Sequence, residues 1–193
     1  MAETTFVNVY VDNSNVFHEG QRFALEKRKE PRDDFRIYFR HFVDLALRKR
    51  KASEIVWGGS VPPNNDDVWS YLEQLGIKPD LIPRGTGGEN ETVDHQIQLK
   101  MYRHARKYGD SPGTIVLATG DGAGYHHEDG FLYDIEGFIK DGWRIELLSW
   151  EHSCNRQLRK FAEKHGMFLR LDDYYDQISF IKGGRVVQPL QIK

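Results

Sequence analysis

Three aspartates in this chain stand where strands and helices are expected to begin or end. Asp12 closes an apolar run, Asp121 follows another by three residues, and Asp94 falls early in a helical segment behind a glycine-rich stretch. In an open parallel sheet, ligands bind outside the carboxyl ends of the strands, where strand order reverses. Carboxylates gathered at such an edge repel one another and call for a cation. Hard oxygen donors without a Cys or His pattern favour Mg²⁺ or Mn²⁺ over zinc. Such an ion lowers the pKa of a bound water, orients a phosphodiester and stabilises the charge of its transition state. Each acid also has a plainer role: Asp12 as a helix cap, Asp94 as partner to a helix dipole, Asp121 as a turn former. Their shared placement at one edge is what favours the metal.

The elements that would position them are legible from apolar periodicity. Phe6 to Val11 predicts a first strand, with Asn13 and Ser14 offering capping chemistry to the segment behind it. Phe35, Phe39, Phe42, Val43, Leu45 and Ala46 recur at helical spacing and predict a helix from Asp33 to Arg50. Further strands are expected at Ile55–Trp57, Asp80–Pro83, Thr114–Ala118, Arg144–Leu148 and Met167–Leu171. Between them, helices are expected at Asp66–Leu75, Thr92–Lys107, Tyr133–Lys140 and Ser153–His165. Thr114–Ala118 is the most continuous apolar run and should lie centrally, buried on both faces. The alternation predicts a three-layer α/β/α sandwich around a mostly parallel sheet. One domain is expected over residues 1–193, with its core at about 6–175. The tail, 176–193, carries Gly183-Gly184 between two apolar runs and predicts a hairpin.

The chain has 193 residues, 39% of them hydrophobic and 29% charged, which argues against disorder. No apolar run approaches the ~18 residues of a membrane span. The first residues show no basic segment followed by an apolar one, and Cys154, the one cysteine, has no partner for a disulfide or a cysteine zinc site. A cytoplasmic protein is expected. The net charge of -2 hides local imbalance: Arg22 to Lys51 holds eleven Lys or Arg against five Asp or Glu. Lys100, Arg103, Arg106 and Lys107 form a second basic group. A basic face beside an acidic site is one reading of that pattern, and ordinary solvated helix faces are the other.

VNVYVDNSNVF (Val7 to Phe17), ETVDHQIQLKM (Glu91 to Met101), GTIVLATGDGAGY (Gly113 to Tyr125), KDGWRIELLSW (Lys140 to Trp150) and the segment Ser153 to Tyr175 together resemble an NYN domain, a branch of the PIN-like metal-dependent ribonuclease superfamily. The D-x-S/G-N pattern falls on Asp12, Ser14 and Asn15, the helix aspartate on Asp94, and the S/T-G-D turn on Thr119, Gly120 and Asp121. The resemblance implies central strand order 3-2-1-4-5 and an acidic Mg²⁺ or Mn²⁺ site that cuts RNA. In that reading Asp12, Asp94 and Asp121 hold the metal, and Asn15 fixes the Asp12 carboxylate or contacts the scissile phosphate. Thr119 is a direct or neighbouring polar ligand, and Asn13, His126, His127 and Arg103 join it on the substrate side. RNA is the expected partner, a homodimer is a further possibility, and no membrane is involved.

Two positions depart from the family pattern. Ala123 stands where a second aspartate is common, and Glu91 where a lysine is often found. Glu91, Glu128 or Asp129 are candidates for the missing carboxylate, and an RNA-binding module that cuts poorly is the alternative function. His126 and His127 could contact phosphate or protonate a leaving oxygen, against the simpler reading of a polar surface loop. Cys154 opens a predicted helix but has no partner base. Among Phe35, Tyr38, Phe39 and Phe42, only Tyr38 is a reasonable base-stacking candidate. Gly120-Asp121-Gly122-Ala123-Gly124, with Glu151 beyond the next strand, also imitates the loop of an S-adenosylmethionine methyltransferase. That loop should follow the first strand of a seven-stranded sheet, and only 69 residues remain after Gly124. A phosphatase of the aspartyl-phosphate type would need an acid where Ser14 stands.

Overall fold

The computed structural model describes residues 6–61, 67–83, 89–109, 111–123 and 129–192. Six parallel strands form the main sheet: β1 (Val7–Asp12), β3 (Ala52–Val61), β4 (Asp80–Pro83), β5 (Thr114–Ala118), β6 (Arg144–Ser149) and β7 (Gly166–Arg170). Their order is β4-β3-β1-β5-β6-β7. Numbered within this sheet the order is 3-2-1-4-5-6, so the expected central order is present and extended by one strand. β2 (Phe35–Ile37) pairs antiparallel with β8 (Ser179–Ile181) in a separate two-stranded ribbon.

β1 and β5 are buried at every position, as strands covered on both faces should be. Their side chains alternate between two cores. Val7, Val9, Val11, Val116 and Ala118 face α1 (Asn13–Phe23), α2 (Phe39–Leu47) and α3 (Asp67–Gln74). Tyr10, Ile115 and Leu117 face α4 (Glu89–Lys107), α5 (Gly130–Lys140) and α6 (Arg156–His165). The expected three-layer sandwich is therefore what forms. Helices α1 to α3 carry the chain outward from β1 in one direction, and α4 to α6 carry it in the other on the opposite face. Right-handed crossovers demand that arrangement. The sheet thus reverses direction between β1 and β5.

Two expectations are corrected. The helix expected from Asp33 to Arg50 is instead a short tight turn at Arg32–Asp34, then β2, then α2. Phe35 and Ile37 are buried on one side of a strand paired with Ile181 and Ser179, so long-range pairing overrides the helical spacing. The tail turns at Gly183, whose φ of +72° suits glycine. Its first arm, however, pairs with β2, and residues 186–192 form no strand. That tail is held through side chains: Arg185 bonds Glu30 at 2.9 Å and lies over the Tyr175 ring at 4.4 Å. The short helix α7 (Tyr175–Ile178) anchors it beside α2.

Candidate functional site

The sheet reversal places the ends of β1 and β5 side by side at the carboxyl edge. Val11 pairs with Ala118, so Asp12 and Thr119 stand level. Asp12 is 4% exposed. Its carboxylate accepts the Asn15 backbone N–H at 3.0 Å, which makes it the cap of α1, and the Thr119 hydroxyl at 2.9 Å. Thr119 Oγ1 in turn accepts the Asp121 N–H at 3.2 Å. Burial pushes the Asp12 carboxyl above the ordinary carboxylate range. The Asn15 and Thr119 hydrogen bonds oppose that rise, and the neighbouring Asp121 charge adds to it.

The turn carrying Asp121 is clamped from two sides. Asn15 Oδ1 accepts the Gly120 N–H at 2.7 Å, and the Asn155 N–H donates to the Gly120 carbonyl at 2.9 Å. A Cβ on Gly120 would meet Ser149 Oγ at 2.9 Å and the Cys154 Cα at 3.3 Å. One on Gly122 would lie 2.4 Å from Asn155 Cγ. Asn155 cannot easily move, because its Oδ1 caps α6 by accepting the N–H groups of Gln157 and Leu158. Asp121 Oδ1 closes the turn by accepting the Ala123 N–H at 2.8 Å.

Asp94 reaches this edge from the other core. Gly58 pairs with Asp12 in the sheet, and a Cβ there would meet Ile97 at 2.8 Å and Val93 at 3.1 Å. The bare strand therefore lets the early turns of α4 settle against β3, with half-buried Asp94 following Val93. The geometry links Asp12 to the Asp121 turn through the Thr119 hydroxyl and brings Asp94 in on a neighbouring helix. Among the described residues, no group of three His, Cys, Asp or Glu side chains is gathered closely enough to enclose an ion. The donor set nevertheless fits Mg²⁺, which takes one or two protein carboxylates and keeps waters or substrate oxygens in its remaining positions.

The other expected residues divide. Asn15 is a positioning group, bonded to the turn. Asn13 Oδ1 accepts the Trp57 indole N–H at 3.0 Å, which ties α1 to β3. Arg103 lies on the exposed side of α4, more than two helical turns beyond Asp94. His126, His127 and Glu128 lie outside the described residues, and Glu91 falls in the first turn of α4, where only the backbone is described. Asp129 caps α5 and lies 3.5 Å from His95 Nε2. Cys154 sits in the turn before α6 rather than inside the helix, and burial pushes its thiol up, away from nucleophilic use. Phe35 and Phe42 are core residues, and Tyr38 is half-buried with its ring edge-on to His41.

Sequence reasoning missed Asn155. The signal was present, since Asn directly before a helical run is a capping pattern. The methyltransferase reading loses its footing here. Gly122 is filled by Asn155, the loop follows the fourth strand of the sheet in chain order, and Glu151 is held by Arg159 at 2.8 Å and Arg170 at 3.1 Å.

No protein-family model matches the chain, and no curated protein matches it. Among solved structures, the chain is similar to a Vibrio parahaemolyticus protein of unknown function. The two share 16% identity with a TM-score of 0.62, over 90% of this chain and 97% of the other. That likeness concerns the fold alone. No helix among the described residues is long and apolar enough to cross a membrane.

Proposed function

We propose that this chain is a Mg²⁺- or Mn²⁺-dependent ribonuclease of the PIN-like type, with its centre at the β1–β5 edge. The observation that carries this reading is the buried Asp12 carboxylate, bonded through the Thr119 hydroxyl to the turn that bears Asp121, where the sheet reverses. A buried acid that is costly to ionise, beside a second acid, is stabilised by a divalent cation. Asp12 and Asp121 would hold the ion, which leaves its remaining positions to waters or substrate oxygens. When bound, the ion supplies a water of lowered pKa and charge stabilisation at the phosphate. Thr119 and the Asn15 N–H hold the Asp12 carboxylate in one orientation. Asn15 and Asn155 keep the Gly120 peptide, and with it Asp121, from drifting. Preorganisation of this kind is where most electrostatic catalysis resides.

A second reading is an RNA-binding module that cuts poorly. It is favoured by Ala123 in place of an acid and by the lack of a three-ligand cluster among the described residues. Incubating labelled single-stranded RNA with Mn²⁺ separates the two. Cleavage by the wild-type chain that Asp12→Asn and Asp121→Asn each abolish supports the enzyme. Cutting no faster than either variant removes it in favour of binding.

A further inference from the structure

Four of the eleven basic side chains from Arg22 to Lys51 are ion-paired within the fold among the described residues. Arg22 pairs with Glu26, Arg28 with Asp176, and both Arg48 and Arg50 with Glu146. On α4, Lys100 pairs with Asp80 at 3.4 Å and Lys107 with Glu54 at 2.8 Å. Arg103 and Arg106 differ. They lie on the exposed crest of α4, at the helical spacing that puts them beside Leu99, and neither has an ion-pair partner among the described residues.

The neighbouring helix presents a matching crest. Tyr133, Gly137 and Lys140 are its exposed positions at i, i+4 and i+7. Lys140 also lacks an ion-pair partner among the described residues, and nothing lies within 4 Å of where a Gly137 side chain would start. The helices are joined beneath this surface, where Gln98 and the Tyr102 hydroxyl both donate to Asp134, at 2.7 and 2.8 Å. The acid in the seam is thereby taken up, and Asp129 above it is engaged with His95. What remains outward is three cations, a flat glycine, Leu99 (48% exposed), Tyr102 (45%) and Tyr133 (40%).

We infer that this α4–α5 face binds single-stranded RNA, with Arg103, Arg106 and Lys140 on phosphates and Tyr133 stacked against a base. Unpaired cations interleaved with aromatic rings are what a single strand requires, since phosphates need charge and unpaired bases need a flat apolar surface. Charge complementarity is local: this face carries three cations with no ion-pair partner among the described residues, on a chain of net charge -2. The crest also leads to the carboxyl edge, because α4 starts there and Arg103 stands nine residues, about 13 Å, beyond Asp94. The inference rests on the ribonuclease reading and assigns that site its substrate track.

The test measures binding of a fluorescein-labelled oligouridylate by anisotropy, in EDTA, across a salt series. Metal-free conditions separate binding from cutting. Arg103→Ala/Arg106→Ala/Lys140→Ala is compared with Arg22→Ala/Lys100→Ala/Lys107→Ala, which removes the same charge from paired positions. Each phosphate contact contributes about 0.7 to the log–log salt slope for a single strand, so the face variant should lose about 2. The paired control should keep a slope near wild type. Tyr133→Ala should weaken binding by about five-fold or more, the lower limit for one lost base stack. Melting curves confirm that every variant is folded, as exposed positions allow. Equal slopes in the two triple variants, no binding by wild type, or equal competition by a polyglutamate peptide would overturn the inference. Failure of the nuclease reading looks different: Mn²⁺-dependent cutting that Asp12→Asn leaves intact.

Discussion

Substituting Gly122 by alanine adds one methyl group and should cost far more than that implies. Its Cβ would sit 2.4 Å from Asn155 Cγ and 2.7 Å from Asn155 Cβ. Either the turn or the Asn155 side chain must move, and the side chain is the softer of the two. Rotating it away breaks both bonds by which its oxygen caps α6, to the Gln157 and Leu158 N–H groups at 2.9 and 3.2 Å. Loss of an asparagine cap costs about 0.5–2 kcal/mol. For a chain of this size the melting temperature should fall by about 2–4 °C per kcal/mol. Asn155→Gly removes the obstacle in advance and itself costs only a few tenths of a kcal/mol, since glycine is tolerated at that position. Four proteins, the wild type, both single variants and the double variant, form a cycle measurable by urea or thermal denaturation. The expected result is that Gly122→Ala is clearly destabilising alone and close to neutral beside Asn155→Gly. An equal penalty in both backgrounds would refute the contact between this turn and the start of α6.

Gly137→Ala should act in the opposite direction. It lies inside α5 with open space around it, so the gain in helix preference, about 0.5–1 kcal/mol, is not offset by crowding, and the melting temperature should rise. Asp12→Asn should also stabilise the metal-free protein at neutral pH. The folded state binds the Asp12 proton more tightly than the unfolded chain, so ionisation costs stability as pH rises from the ordinary carboxylate range through the raised value. The variant's advantage should therefore shrink in acid, and a series of melts against pH reads it directly. Adding Mn²⁺ should raise the melting temperature of wild type more than that of this variant.

The order of strands and helices was legible because a parallel sheet buried on both faces writes long apolar runs, and Thr114–Ala118 is the plainest of them. The acids at strand ends were legible for the same reason, since Asp12 and Asp121 each stand just after such a run. Phe35 was misread because a three-residue strand carries too little alternation to compete with the helical spacing of Phe35, Phe39 and Phe42. Its partner in the ribbon is Ile181, nearly 150 residues away, and no local pattern reports that distance. The pairing of basic residues was hidden likewise. Arg48 and Arg50 find Glu146 only after the sheet assembles, whereas Arg103 and Arg106 remain unpaired among the described residues. The Asn155 clamp needed both Gly122 and the start of α6 to be placed before it meant anything.

Capping alone does not account for an acid at position 12. Asparagine or serine would accept the Asn15 N–H about as well as aspartate does, and neither would carry a charge into a position that is 4% exposed. With asparagine the Thr119 hydroxyl would keep a partner as well, because it can accept from the amide as readily as it donates to a carboxylate. Aspartate is thus the costly choice among residues equally able to start α1, and Asp121 nearby raises that cost. The cost falls where β1 and β5 stand side by side, the strand order reverses, and the helices that follow them leave on opposite faces and open a crevice. Destabilising groups concentrate at sites that act on something. A cation bound between Asp12 and Asp121 would convert the liability into a binding energy, which is the physical reason to read this edge as a metal-assisted centre rather than as a helix start.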